Sequence, residues 1–286
     1  MKQAASAACF VMRRRDEHGF VLPLVLWICA LLALIAASVL QSSRISAILA
    51  HNRVERAQAR AAADAGVAWG IVGMLGASPD GVWPRDGRAR TMRFAGAEVA
   101  VSIQDALGLI DVNAAPVGLL TRLFRGNGVP LLDSNAAATA ILRWREPPGF
   151  PAHPIAAPEE LALVPGLPGP LLDRVLPFLT VRNGTAAIDP IAAPPSVLRA
   201  VPDIPESLLT SLIRARGEAA APAGTLPLIN DPDQQGPPTH RFATIRADAV
   251  GASGVRFIRE TEIELNPDGE QTWRVLSWRQ GRAGSN

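Results

Sequence analysis

The chain is poor in sulfur and in histidine. Of its 286 residues only Cys9 and Cys29 are cysteine, and Cys29 lies inside a long apolar run. Everything after that run therefore folds without an internal disulfide. Cys9 stands before a basic cluster and not after the apolar segment, which argues against a lipid attached there. His18, His51, His153 and His240 are scattered, and no nucleophile, base and orienting group can be assembled around them. A Walker loop and a dinucleotide fingerprint are both missing. The expectation is a protein that is not an enzyme.

A basic excess is also missing once residues 1–19 are set aside. The formal charge is +2, from 28 basic and 26 acidic residues. Lys2, Arg13, Arg14 and Arg15 against Asp16 and Glu17 account for all of it, so the remainder is neutral. A nucleic-acid binder carries its positive excess on the folded part. What the chain does have is 48% hydrophobic residues, 25 prolines and 24 glycines. That mixture calls for many short elements joined by turns, not for a simple helical bundle.

The apolar run is Phe20 to Ser43, without a charge. As a helix it reaches ~36 Å, more than the ~30 Å hydrocarbon core of a bilayer. Arg13, Arg14 and Arg15 before it, and only Arg44 close behind, put the N-terminus in the cytoplasm and the bulk of the chain across the membrane. A secretory signal has an apolar region of ~7–15 residues and an A-x-A site, and neither fits. A plain signal anchor fits the length. The charged residues stop at Gly19, followed by Phe20, and this junction resembles the type III signal of prepilins. The resemblance implies cleavage between Gly19 and Phe20 by a prepilin peptidase, and methylation of the new N-terminal Phe20.

Beyond the membrane run the pattern stays helical, with Ile45, Ile48, Leu49, Ala57, Ala61, Ala68, Val72 and Leu75 recurring at intervals of three and four. No proline interrupts Leu24 to Ser78, so one helix of ~50 residues is expected, although Gly66, Gly70 and Gly73 weaken its second half. Thr91 to Phe94 and Glu98 to Gln104 flank Ala95-Gly96-Ala97 and predict an antiparallel hairpin. Arg241 to Ala247, Val255 to Leu265 and Gln271 to Trp278 predict further strands, with a turn at Asn266 to Glu270 and a loop over Glu218 to Pro238.

Between the hairpin and these strands a repeat appears: Ala114-Ala115-Pro116, Ala156-Ala157-Pro158 and Ala192-Ala193-Pro194, each followed by an apolar residue three positions on. Proline suits a first helical turn, so each copy starts a helix. The first and third copies also share Ile110-Asp111 and Ile188-Asp189 upstream. Val164-Pro165-Gly166-Leu167-Pro168-Gly169, ahead of Leu171 to Leu179, is similar to the turn of a helix-hairpin-helix, which grips DNA phosphate. Pro168 and Pro170 remove backbone donors there and Asp173 repels phosphate, so a turn between packed helices is the preferred reading. A membrane-anchored nucleic-acid-binding protein is the alternative.

Together, Ile110 to Pro116, Ile141 to Glu146, Glu159-Glu160-Leu161 with Val164-Pro165-Gly166, and Val275 to Arg279 resemble the minor pseudopilin K family of type II secretion, general secretion pathway protein K. The resemblance implies an α+β, pilin-like fold: a long N-terminal helix packed on an antiparallel sheet, with a large all-α domain inserted between sheet strands. The expected boundaries are 1–19 for the cleaved leader, 20–43 for the membrane part of the helix and 44–78 for its periplasmic part. They continue with 79–108 for the first part of the pilin-like domain, 109–201 for the helical insertion, 202–238 for linker and loop, and 239–286 for the C-terminal strands.

It further implies a subunit of the bacterial inner membrane, single-pass, that caps a periplasmic pseudopilus and helps to initiate it. Its partners would be the other minor pseudopilins, the major pseudopilin, the prepilin peptidase and secreted substrates, with no nucleic acid. The glutamate found at the fifth mature position of pilins is replaced by Leu24. Family members bind calcium after the Trp-Arg pair; here Glu146 is the one carboxylate of that stretch, with Glu159 and Glu160 nearby. Calcium takes six to eight oxygens. No metal or other cofactor is therefore assigned, and calcium on those three residues is kept as the alternative.

Overall fold

The structure is a computed structural model and describes residues 21–76, 83–218, 227–230, 241–265 and 273–282. The chain divides into two compact units, Met1–Val54 and Glu55–Asn286. A single helix, α1 (Val21–Met74), contributes to both, as the proline-free run predicts.

In the second unit α1 is followed by β1 (Asp86–Phe94) and β2 (Ala97–Asp105), paired as a hairpin. The strand β1 starts five residues earlier than expected. Its turn is Ala95 and Gly96, both at positive φ (48° and 81°), the backbone that tight hairpins require. Next come β3 (Ile110–Asp111), α2 (Val117–Gly126), α3 (Leu131–Arg145), a 3₁₀ turn (Pro158–Leu163), α4 (Gly169–Val175), β4 (Leu179–Thr180), α5 (Pro195–Ala200) and α6 (Glu206–Glu218). The chain then returns as β5 (Arg241–Val250), β6 (Arg256–Leu265) and β7 (Trp273–Gln280). The sheet order is β1-β2-β5-β6-β7, antiparallel throughout. The helical block thus sits in sequence between two neighbouring strands, β2 and β5.

The inserted helical block also holds one short parallel pair, β3 with β4, Ile110 opposite Leu179 and Asp111 opposite Thr180. The expected linker needs correcting. Residues 202–218, expected within a linker, include α6, whose Leu209 is 2% exposed in the core of the block. Ile229, also in the expected linker, pairs with Ile188. Apolar residues at helical spacing in Glu206–Glu218 carried that information, but the alanine and proline that follow masked it.

All three Ala-Ala-Pro copies begin helices. Pro116 and Pro194 occupy the N-cap positions of α2 and α5, and Pro158 lies in the first turn of the 3₁₀ segment. Ahead of two of them Asp111 and Asp189 build the same turn, their Oδ1 accepting the N–H of Asn113 (2.8 Å) and of Ile191 (2.9 Å). The N–H of Ala115 and of Ala193 then return to the carbonyls of Asp111 (2.8 Å) and Asp189 (3.0 Å). A local side-chain cap and a proline start explain why the repeat recurs.

Two hydrophobic cores result. One holds Ala62, Ala63, Val67, Ile71 and Met74 of α1 against Val99, Val101, Ile103, Ala243, Ile245, Ala247 and Ile263 of the sheet. The other gathers Leu119, Leu120, Leu123, Phe124, Ile141, Leu161, Leu171, Val175, Val197, Leu198 and Leu209 of the block.

Candidate functional site

In the first unit, Leu24, Val25, Leu26, Trp27 and Ile28 are all exposed, from 49% to 76%. Five consecutive residues at 100° per residue cover every direction, so this helix is apolar and bare all round. The stretch Leu22–Ser42 has mean hydropathy 2.6 and none of it is buried, long and apolar enough to cross a membrane. Leu24 is one of these exposed residues, at 54%. Gly19, Phe20, Arg13, Arg14 and Arg15 lie outside the described residues.

In the second unit α1 carries two apolar stripes. Ala59, Ala62, Ala63, Val67, Ile71 and Met74 are buried on the sheet. Ala57, Ala61, Ala68, Val72 and Leu75, also spaced at helical intervals, are exposed. Gly66, Gly70 and Gly73 belong to the buried stripe, and they do more than weaken the helix. A Cβ on Gly66 would lie 2.7 Å from Val99 Cγ1, on Gly70 2.8 Å from Ile245 Cγ2, and on Gly73 2.4 Å from the Trp83 ring. Only glycine allows the helix to approach so closely.

Charged residues in phase with the buried strand positions tie the second unit together. On β2, Asp105 continues Val99, Val101 and Ile103 and is fully buried. Arg241 Nη2, at the start of β5, donates to it at 2.7 Å and lies 3.7 Å from Asp189, while Arg85 approaches from β1's side at 3.6 Å. Burial lowers the Arg85 guanidinium from its ordinary value, with Asp105 opposing the shift. The points where the chain leaves and re-enters the sheet are thereby joined to each other and to the block. Gln104 Nε2 donates to the Ala192 carbonyl (3.0 Å), Asn183 Nδ2 to that of Ala106 (2.7 Å), and Asp189 N–H to that of Leu107 (2.9 Å). On the sheet's other face Arg182 makes a two-pronged pair with Glu262 (2.7 and 2.9 Å). Strand alternation was the signal that would have found Asp105 in the sequence.

The calcium candidates are not gathered. Glu146 pairs with Arg145 at 3.0 Å, Glu159 with Arg279 at 3.4 Å, and Glu160 accepts the Ala156 N–H at 2.9 Å. That last bond, chief among its contacts, holds the Glu160 carboxyl below its ordinary value. Two of the three are neutralised by an arginine, and no group of three or more metal-ligating side chains occurs among the described residues. The donor set does not fit calcium. Arg145 itself is buried, its Nη1 donating to the carbonyls of Val112 (2.6 Å) and Ala115 (3.0 Å), so it clamps the first repeat turn.

At the glycine turn, Gly166 has φ 88° and α4 begins after Pro168 without a side-chain cap. The N–H of Leu171 and of Leu172 are taken by the Pro168 carbonyl, and Pro170 has none to give. Arg174 is spent on the carbonyls of Pro170 and Asn127. A helix start in this state has little to offer a phosphate.

No family model matches the sequence, and no curated protein matches it. A chain in the crystal structure of the GspK-GspI-GspJ complex from the enterotoxigenic Escherichia coli type 2 secretion system does match in structure. The TM-score is 0.50 at 16% identity, over 82% of this chain and 99% of that one. At that identity the likeness is one of fold. The chain has a pilin-like α+β fold, with an apolar N-terminal helix, an antiparallel sheet and a helical block, and it shares this fold with a pseudopilin assembly.

Proposed function

We propose that the chain is a minor pseudopilin of a type II secretion system, the subunit that caps the periplasmic pseudopilus and helps to start its assembly for export of folded proteins. The observation that carries this reading is the combination of a bare apolar helix with a pilin-like head into which a helical block is inserted between β2 and β5. In this reading the leader with Arg13, Arg14 and Arg15 stays in the cytoplasm, and the prepilin peptidase cuts between Gly19 and Phe20. Phe20 is then methylated and the helix remains in the inner membrane with the head in the periplasm. The exposed stripe Ala57, Ala61, Ala68, Val72 and Leu75 is a natural contact for the other minor pseudopilins and the major pseudopilin. No catalysis, cofactor or nucleic acid enters.

The capping role follows from Leu24 and from bulk. A leucine cannot compensate the N-terminal ammonium of a subunit lying above, and an unpaired buried charge costs several kcal/mol. The inserted block would also collide with a head stacked over it. Gold labelling of the head on assembled pseudopili tests this. One cluster at an end is expected, and labels along the shaft would exclude capping.

A further inference from the structure

An asparagine side chain is most easily attacked by the next main-chain nitrogen when glycine follows, because glycine has no Cβ to obstruct the approach. Asn-Gly occurs twice, at Asn127-Gly128 and Asn183-Gly184, and the two are held in different ways. Asn127 Nδ2 donates to the Leu123 carbonyl (2.8 Å) and the Gly128 N–H to that of Arg125 (3.1 Å), both within the last turn of α2. A helix end frays at little cost. Asn183, just past β4, is bound instead to distant chain. Its Nδ2 donates to the carbonyls of Ala106 (2.7 Å) and Leu109 (3.3 Å), where the chain passes from β2 into the block. The N–H of Gly184, a residue at φ 62°, donates to Oδ2 of the buried Asp111 at 2.8 Å. These bonds join residues 73 to 77 apart in the chain, so both ends of the dipeptide come free only when this side of the joint opens.

We propose that Asn183-Gly184 is a latent hydrolytic modification site, shielded while the joint between sheet and block is closed and converted once it opens. In the step, Gly184 N forms a bond to Asn183 Cγ, the Cγ–Nδ2 bond breaks, and Nδ2 leaves as ammonia with the Gly184 proton. Water then opens the cyclic imide at either carbonyl, giving aspartate or isoaspartate at position 183. In the closed joint neither end is ready. The proton of the attacking nitrogen lies on the Asp111 carboxylate, whose charge opposes its removal, and the leaving amide is fixed by two carbonyls. After conversion a carboxylate oxygen faces the Ala106 and Leu109 carbonyls, with Asp111 beside it. Acceptors set against acceptors lose the bonds that closed the joint, and isoaspartate also lengthens the main chain. The change is one-way, and the joint does not close again as before. Its chemistry is the same whether or not the chain is a pseudopilin.

The test ages the full chain in detergent at mildly alkaline pH beside two synthetic peptides, residues 124–131 and 180–187. Mass spectrometry of digests then maps aspartate and isoaspartate at both sites. Asn183 should convert at least about tenfold more slowly in the chain than in its peptide, and more slowly than Asn127 in the chain. Urea below the unfolding midpoint should speed conversion at Asn183 more than at Asn127. The consequence is read by amide hydrogen exchange, in the fraction of aged chain converted at 183 and in Asn183→Asp, which makes the aspartate product directly. Exchange at β3 and β4 should be about tenfold faster than in the unconverted chain, with β2 and β5 unchanged. Conversion of Asn183 at the peptide's rate in the folded chain would overturn the shielding. Exchange at β3 and β4 equal to that of the unconverted chain would overturn the lasting opening.

Discussion

The core under the sheet and the core of the helical block are filled with side chains of different size. Under the sheet, α1 brings Ala62, Ala63, Val67 and three glycines against Ala243, Ala247 and Ala249, so backbone meets strand at close range. In the block, short elements that cannot come so close fill the space with Phe124, Ile141, Leu120, Leu123 and Leu161. At Gly66, Gly70 and Gly73 the first core has no room for added atoms, and at Phe124 the second cannot lose any without a hole. A long helix lying flat on a sheet permits the first solution; six short segments meeting at angles require the second.

The largest effect should come from emptying the block. Phe124→Ala removes a fully buried ring, and such losses cost about 3–5 kcal/mol. Urea unfolding followed by a probe on the sheet and another in the block measures this. If the cores are as separate as their packing, the block transition moves and the sheet transition holds. Coincident transitions would make them one cooperative unit.

The converse change belongs to the sheet core. Gly70→Ala raises helix propensity by up to about 1 kcal/mol, but its Cβ would meet Ile245 Cγ2 at 2.8 Å. Overpacking costs about 1–3 kcal/mol, so net destabilisation is expected. Gly118→Ala in α2 meets nothing within 4 Å and should be neutral or stabilising. Equal signs for the two substitutions in thermal melts would show that the close approach under the sheet is not what restricts Gly70.

A smaller, pH-dependent difference is expected at Asp111, on the edge of the block core. Burial raises its carboxyl above the ordinary value of 3.8, against the N–H groups of Asn113 and Gly184 that it accepts. The folded chain therefore holds this proton to higher pH than the unfolded chain. Its contribution is complete below 3.8 and is lost as pH rises from there through the raised folded value. Asp111→Asn has no such loss. The stability of wild type relative to this variant should fall across that window, and a rise would mean that the two N–H bonds outweigh burial.

Much of this contrast was legible in the sequence, and the reasons for the rest are specific. The long helix, the hairpin at Ala95-Gly96 and the three proline-started helices rest on local rules, and they appear within a few residues of where those rules put them. Helical spacing, however, cannot say which face is covered. Ala57, Ala61, Ala68, Val72 and Leu75 satisfy it and are exposed, while the buried stripe of alanine and glycine scores poorly for hydrophobicity. The short pairing of β3 with β4 is non-local, and two residues are too few to show a period. Likewise Glu146, Glu159 and Glu160 form a plausible acidic set in sequence, but arginines from their own and distant elements decide their fate.

The smallest effect should be found where the two regions meet on the sheet's outer face. Arg182 and Glu262 make a two-pronged pair, which raises the Arg182 guanidinium above its ordinary value. Their side chains are nevertheless 40% and 23% exposed, and pairs open to water to that extent contribute about 0–1 kcal/mol. Arg182→Gln should thus cost at most about 1 kcal/mol, and the cost should vanish near 1 M salt, where screening acts within ~3 Å. The fully buried Asp105, with Arg241 at 2.7 Å and Arg85 at 3.6 Å, is sheltered from that screening and holds the joint at its inner side. If Arg182→Gln instead loosens the block, read as faster hydrogen exchange at β3 and β4 in low salt alone, the outer pair carries the joint. The polar contacts around Asp105 would then serve only to fill buried valences.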